Sequence, residues 1–529
     1  MSVKIKHMKP IILSILDGWG LSSEKRGNAI FHAKTPTFDE IIAHYPAIPL
    51  QASGIAVGLP WEEAGNSEVG HLNIGSGRIV YQSLPRILLA IKNGSFFKNP
   101  ALTQAINHAK KNNSCLHLMG LVSTGNIHSY LDHLYALIEL AAKEKVAEIR
   151  LHFFSDGEDA PPKQALQLVK QVEERLNQAK DGKIATIIGR IYAMDRNQNW
   201  ERTQWAFECL TQGKGEKFET ASEAIESAYN KNLTDTFIQP SVIIDPQTKK
   251  PVGLIQDNDS VIFFNYRADR ARQLTYAFVL PDFNDFPRIM PQNLYFVTMT
   301  EYKKNLPVQV AFPTIKIENH ITEFLTNYNK KVLKIAETEK YAHVTYFFNG
   351  GKEKEYPNET RILIPSTKMP HYEKYPEMSA SQITQKLIQE ITTNQFELAV
   401  VNYANPDIVG HTGNFQAAVK AIETVDSCLS QLLKLVKENK IILIITGDHG
   451  NAEQMINLKT GEPYPEHTTN PVPFCFVAQE KQRKKTKEEI DILFKEPQGM
   501  LSDIAPTILE TMGIPQPFEM TGQSLLGFL

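Results

Sequence analysis

Short apolar runs bounded by turn residues alternate along this chain with longer stretches of helical period. "IILSIL" ends in Asp17-Gly18, "LAVVNY" (398–403) leads into "ANPDIVGH", and "IILIIT" (441–446) leads into "GDHGN". Runs of this kind, rich in Ile and Val with little polar alternation, read as strands buried on both faces. The middle of the chain has its own set: "CLHLMGLVS", "EIRLHFFSDG", "KIATIIGR" and "SVIFFNYR". Strands alternating with helices predict an α/β fold with a largely parallel sheet. The three runs that end in polar clusters come from opposite ends of the chain. The simplest arrangement is two α/β domains, one split in sequence as 1–81 and 316–529, with a second inserted as 82–315.

Length supports the division, since 529 residues exceed what one core normally serves. A net charge of −3 gives no basic surplus for nucleic acid. Cys115, Cys209, Cys428 and Cys475 stand far apart without a CxxC pair, which fits a reducing, cytoplasmic setting. No apolar run approaches the roughly eighteen residues that would span a bilayer. The six-residue run after the initial lysines is shorter than an export core, so a soluble, unprocessed protein is expected.

Candidate chemistry gathers at the strand ends. Asp407 and His411 are four apart, the spacing that puts both on one face of a helical turn. Asp448 and His449 are adjacent, His467 follows in "PYPEHTTNP", and Asp17 adds a carboxylate from the first strand. Ligands in open α/β sheets collect at the carboxyl ends of strands. Imidazoles with carboxylates and no thiolate suit Mn²⁺ or Zn²⁺, with Mg²⁺ or Co²⁺ as alternatives, so a two-metal site is expected.

"EEAGNSEVGHLNIGSGR" (62–78) places Ser67 in a glycine-rich turn entering a short helix. A plain helix N-cap would account for such a serine. Beside divalent cations its hydroxyl becomes a candidate nucleophile, because such ions lower the pKa of an oxygen they hold. The flanking glycines are then expected to let backbone amides approach an anion. In the middle region, Arg190, Arg196, Arg267 and Arg270 cluster just beyond apolar runs, with His128 and Asp159 at neighbouring turns. Guanidinium forks match phosphate and carboxylate oxygens, and an acid–base candidate stands beside them. The residues together point to phosphoryl transfer through a serine at two metals, with the inserted domain gripping a small phosphate ester.

The motifs "LDGWG", "GNSEVGHLNIGSGR", "GRIYAMDR", "NYRADRARQ", "ETEKYAHVTYFFNGG", "NYANPDIVGHTGN" and "ITGDHGNAEQM", in this order, closely resemble cofactor-independent phosphoglycerate mutases, of the alkaline-phosphatase-like metalloenzymes. The resemblance implies interconversion of 3-phosphoglycerate and 2-phosphoglycerate in glycolysis and gluconeogenesis, by a monomer using two Mn²⁺ and no 2,3-bisphosphoglycerate. It implies that Ser67 is transiently phosphorylated. One metal would be held by Asp407, His411 and His467, the other by Asp17, Ser67, Asp448 and His449. Substrate contacts would be His128, Asp159, Arg190, Arg196, Arg267, Arg270 and Lys340. Asp159 would be the acid–base group, and Lys340 would stabilise charge on the moving phosphoryl group.

The chain departs from that pattern at "SDGEDAPP", where Glu158 stands at a position expected to be arginine. Like-charge repulsion at Glu158 should weaken substrate binding with the reaction retained, unless Glu158 pairs with Arg190 or Arg196 or points away. Two other functions compete: a phosphomonoesterase sharing the serine and metals, and a catalytically silent phosphate-binding or regulatory protein.

Overall fold

The computed structural model describes residues 9–367 and 371–529; residues 1–8, part of the start read for an export signal and of the first domain call, lie outside them. The chain divides into two compact units. One joins the chain up to Gln82 with Lys316–Leu529, and the other is Ser83–Ile315.

In the first unit the strand order is Glu359–Ile364, Val332–Glu337, Leu398–Tyr403, Ile11–Leu16, Ile442–Thr446, Val472–Val477, Ala47–Gln51 and Gly499–Met500. Every neighbouring pair is parallel except the two made by Val472–Val477. The three runs with polar ends are therefore adjacent. Leu16 is in register with Tyr403, and Ile15 with both Asn402 and Thr446, so the chains leave the sheet side by side. Alternation along Ile11–Leu16 sends Ile11, Leu13 and Ile15 into one apolar layer and Ile12 and Leu16 into the other. Helices Ser67–Ser76 and Ile504–Thr511 cover the first face, and Ala380–Thr393 and Phe415–Lys437 the second. Burial on both faces explains why these strands carry continuous apolar runs.

The second unit repeats the plan. Its order is Gln309–Phe312, Tyr295–Thr300, Ser260–Phe263, Leu116–Leu121, Ile149–Ser155, Gly182–Gly189, Ser241–Ile243 and Glu216–Phe218. Only the junction between Gly182–Gly189 and Ser241–Ile243 is antiparallel. Leu116 and Leu118 pack under one helical layer, Met119 and Leu121 under the other. Among the described residues no helix is long and apolar enough to cross a membrane.

Candidate active site

Helix Ser67–Ser76 is capped by Asn66, whose side chain accepts from the Val69 amide at 3.0 Å. Ser67 is thus not the cap. Its hydroxyl is free to face the sheet, where Asp17, Asp407 and Asp448 follow the ends of three adjacent strands. The neighbouring glycines have a different use from the one expected. A Cβ at Gly70 would lie 2.7 Å from the Asp448 carbonyl oxygen, and one at Gly75 would lie 2.0 Å from that of Phe348. They admit protein backbone, which lets the helix press against the segment carrying Asp448.

Ser67 Oγ lies 2.6 Å from Lys340 Nζ, 3.0 Å from His449 Nε2 and 3.2 Å from Asp17 Oδ1. Lys340, just beyond strand Val332–Glu337, also reaches Asp17 Oδ1 at 2.7 Å and Asp407 Oδ2 at 2.6 Å. All of these side chains are buried. Burial opposes ionisation of Asp17 and Asp407 most strongly, but Lys340 together with hydrogen bonds from His449 to Asp17 and from His411 and His467 to Asp407 overcomes it and holds both carboxyls below the usual range. Burial likewise disfavours the Lys340 ammonium, and the carboxylates reverse that and raise its pKa. For His449, burial is outweighed by Asp448, Asp17 and Asp407, which raise it to about 9.

Three imidazoles are oriented alike. Nδ1 of His411 faces the Pro465 carbonyl at 2.7 Å, that of His467 the Gly65 carbonyl at 2.8 Å, and that of His449 the Gly450 carbonyl at 3.3 Å. A carbonyl on Nδ1 places the proton there and leaves Nε2 as the donor atom, the usual arrangement of a metal-binding histidine. The Nε2 atoms of His411 and His467 lie 3.0 Å apart, at 3.2 and 3.1 Å from Asp407 Oδ1. Two lone pairs aimed at one another beside a carboxylate repel unless a positive centre lies between them. Asp448 Oδ2 is buried 3.2 Å from His71 Nδ1 yet accepts no hydrogen bond, which also favours a cation. The donor atoms of Asp407, His411 and His467 lie within 4.8 Å of one another, as do those of Asp17, Asp407 and His449, and those of Asp17, His71 and Asp448. The donor set of carboxylate oxygens and imidazole nitrogens fits divalent cations. A cavity of about 730 Å³, lined in part by Gly65, Asn66, His411 and His467, opens at the Asp407 group.

In the second unit, Arg190 follows strand Gly182–Gly189 and is almost wholly buried. It donates to Asp156 and, at 2.7 Å, to Asp159, and stands 3.4 Å from Glu158. Burial alone would lower its pKa; the bonds to Asp159 and Asp156 raise it instead. Arg196 and Arg267 are half exposed and share Asp269, at 2.9 and 3.2 Å. Arg270 lies 3.8 Å from Glu158. His128 stands 3.8 Å from Asp159 and 3.6 Å from Asp269, and burial followed by the Arg190 charge lowers its pKa to about 4. His128 is therefore neutral at pH 7, with Nδ1 buried and without a hydrogen-bond partner.

The comparisons with known proteins agree with one another. Residues 87–304 match the family model described as BPG-independent PGAM N-terminus, and residues 294–464 that described as type I phosphodiesterase / nucleotide pyrophosphatase. The chain is 49% identical over 528 residues to 2,3-bisphosphoglycerate-independent phosphoglycerate mutase 2 of Methanosarcina barkeri, covering 98% of each chain. It is 50% identical over 518 residues to the 2,3-bisphosphoglycerate-independent phosphoglycerate mutase of Clostridium novyi, covering 98% of this chain and 99% of the relative. The chain belongs to the 2,3-bisphosphoglycerate-independent phosphoglycerate mutases. A crystal structure of Leishmania mexicana phosphoglycerate mutase at low cobalt concentration is similar throughout, with a TM-score of 0.52, 28% identity and 98% of both chains covered.

Every site residue expected from the sequence lies in one of two clusters. Asp17, Ser67, Lys340, Asp407, His411, Asp448, His449 and His467 meet in the first unit. His128, Asp159, Arg190, Arg196, Arg267 and Arg270 meet in the second. Glu158 faces Arg190 and Arg270, not Arg196. The sequence reading missed Asp156 and Asp269, which sit inside the motifs "SDGEDAPP" and "NYRADRAR" and hold the arginines. It also missed His71 and Asn402 behind the first cluster; their only signal was a polar residue inside an apolar strand and an imidazole one helical turn after Ser67.

Proposed function

We propose that this mutase-family enzyme interconverts 3-phosphoglycerate and 2-phosphoglycerate by lending the phosphoryl group to Ser67. The observation that carries the reading is the Ser67 hydroxyl, buried 2.6 Å from the Lys340 ammonium and 3.0 Å from His449. Two divalent cations, Mn²⁺ in this reading, would be held by Asp407, His411 and His467 and by Asp17, Asp448 and His449 with Ser67. They supply positive charge that favours ionisation of the serine hydroxyl and offsets the phosphoryl oxygens.

The chain's own groups do the rest. Ser67 Oγ enters the cycle as the alkoxide and Asp159 as the acid; the serine oxygen forms a bond to phosphorus as the bond to the glycerate C3 oxygen breaks, and that oxygen takes the proton from Asp159. Lys340 offsets charge on the phosphoryl oxygens while they change partners. The retained glycerate then presents its C2 hydroxyl, which loses its proton to Asp159, attacks phosphorus and releases Ser67. Arg190, Arg196, Arg267 and Arg270, with neutral His128, orient the glycerate carboxylate and phosphate. In this reading the enzyme is a cytoplasmic monomer with no nucleic-acid or membrane partner, acting in glycolysis and gluconeogenesis.

The test is a quench of turnover with ³²P-labelled 3-phosphoglycerate, followed by digestion. Label on the peptide containing Ser67, with 2-phosphoglycerate as product, supports the proposal. Free phosphate without 2-phosphoglycerate would instead favour the phosphomonoesterase.

A further inference from the structure

Two residues behind the Ser67 cluster have no part in the reaction as proposed. His71 and Asn402 are both fully buried. Asn402 lies in strand Leu398–Tyr403, where an apolar residue would pack at no polar cost, and its Oδ1 has no hydrogen-bond partner. Its Nδ2 lies 2.7 Å from Asp17 Oδ2 and 3.0 Å from His71 Nε2.

The directions of these bonds follow from chemistry. An ionised carboxylate only accepts, so the atom that Asp17 meets must be the amide nitrogen. Its second hydrogen points at His71 Nε2, which therefore accepts, and the imidazole proton sits on Nδ1. That nitrogen lies 2.9 Å from the Ser67 carbonyl oxygen, its nearer acceptor, and 3.2 Å from Asp448 Oδ2. Although His71 falls within 4.8 Å of donor atoms on Asp17 and Asp448, both of its nitrogens are engaged. It has no lone pair left for a cation.

We propose that Asn402 and His71 are positioning residues that lock Asp17 to the first turn of the Ser67 helix. Ser67 Oγ donates to Asp17 Oδ1 at 3.2 Å, so the bonds close a ring. It runs from the Ser67 hydroxyl to Asp17, through Asn402 and His71, and back to the Ser67 carbonyl. Because Oδ2 of Asp17 is tied to the amide, Oδ1 is left facing Ser67 and Lys340. The ring fixes the carboxylate's rotation and the distance to the nucleophile at once. This inference rests on the reading that the cluster holds divalent cations around Ser67.

The test compares His71→Phe, His71→Gln and Asn402→Ser with the parent by calorimetric titration of Mn²⁺ and by mutase kinetics. Glutamine offers an acceptor to Asn402 and a donor to the Ser67 carbonyl, whereas phenylalanine fills the space and offers neither. His71→Phe and Asn402→Ser should weaken Mn²⁺ binding about tenfold or more. They should also lower kcat at saturating Mn²⁺, with KM for 3-phosphoglycerate within about twofold of the parent. His71→Gln should keep most of the affinity. Parent-like Mn²⁺ affinity in Asn402→Ser, or equal losses in His71→Phe and His71→Gln, overturns the bridge. If His71→Phe does not fold, Asn402→Ser and His71→Gln decide between the same outcomes. A parent that binds no divalent cation overturns the cluster reading and the bridge together; a parent that binds, with variants that match it, overturns the bridge alone.

Discussion

Lys340 Nζ lies 2.6 Å from Ser67 Oγ and within 2.7 Å of carboxylate oxygens of Asp17 and Asp407. One ammonium thus bridges the nucleophile and two acids that would otherwise repel each other in a buried site. The carboxylates keep it charged, so it can oppose negative charge as that charge moves. Ser67→Ala should abolish isomerisation, while protein saturated with Mn²⁺ keeps a cation content near that of the parent, because Asp17, Asp448 and His449 remain as ligands. Lys340→Ala should lower kcat about 10²–10³-fold, the usual effect of removing one group that stabilises transition-state charge. Both are read from steady-state kinetics with elemental analysis of the purified protein. Retained turnover in Ser67→Ala would refute the serine route.

Removing the cations should stop the reaction for a reason visible in the imidazoles. His411 and His467 aim Nε2 lone pairs at one another across 3.0 Å, an arrangement that needs a positive centre. Chelator-treated protein should lose activity and recover it when Mn²⁺ is returned, with Co²⁺, Zn²⁺ and Mg²⁺ assayed separately. Cation at a hundredfold excess over its Kd should add about 2.7 kcal/mol of stability, seen as a higher thermal midpoint. Added 2,3-bisphosphoglycerate should give no stimulation. Stimulation by it, or full activity in chelator, would contradict the proposed chemistry.

Glu337 predicts a pH effect on stability that is separate from the cations. It ends strand Val332–Glu337 fully buried, with Ser366 donating to Oε2 at 2.9 Å and Oε1 without a partner. Burial raises its pKa from 4.5 to about 7; hydrogen bonds from Ser366 and Ser379 oppose the shift, and Glu339 adds to it. A carboxyl whose folded pKa lies above its unfolded value binds more protons in the native state between the two. Its contribution is therefore fully present below pH 4.5 and is lost as pH rises through 7, by up to about 3 kcal/mol. Glu337→Gln removes that dependence. The variant's thermal midpoint should gain on the parent's steadily from pH 5 to pH 8. A constant difference across that range would show that Glu337 does not titrate in the folded protein.

What the sequence made legible follows from where the information lies. The runs ending at Asp17, Asp407 and Asp448 declare themselves because buried parallel strands need continuous apolar residues, and the polar residues that end them stand out. The i,i+4 pair Asp407 and His411 is legible for the same local reason. That these three strands are neighbours is a matter of sheet order, which no single run encodes. Asn66, not Ser67, caps the helix because the cap depends on one residue's backbone angle, and asparagine and serine both suit it. Gly70 and Gly75 were misread because their partners, Asp448 and Phe348, lie hundreds of residues away. Asp156 and Asp269 went unnoticed beside more numerous arginines, though each holds one or more of them in place.

Glu158 gives the prediction most particular to this chain. Four guanidiniums, from Arg190, Arg196, Arg267 and Arg270, are matched by four carboxylates, from Asp156, Glu158, Asp159 and Asp269. Three of these acids hold an arginine within 3.2 Å, while Glu158 lies 3.4 Å from Arg190 and 3.8 Å from Arg270, looser and partly exposed. Glu158 is the exposed partner of both contacts, and a long, partly solvated ion pair contributes roughly 0–1 kcal/mol to stability, so little holds Glu158 there. Its charge nevertheless stands beside two groups that would bind an anionic substrate, and it opposes that binding over a few ångströms. Glu158→Arg reverses one charge and adds a guanidinium. KM for 3-phosphoglycerate should fall about tenfold, as expected for roughly 1–2 kcal/mol of altered electrostatics at this exposure. Because the Glu158 carboxylate faces only Arg190 and Arg270, assigned to holding the substrate, and not Ser67, Lys340 or the cation ligands, kcat should stay within about threefold. The gain should shrink as ionic strength rises from 0.05 to about 0.5 M, since screening acts on exposed charges first. An unchanged or higher KM would mean that Glu158 does not repel the substrate.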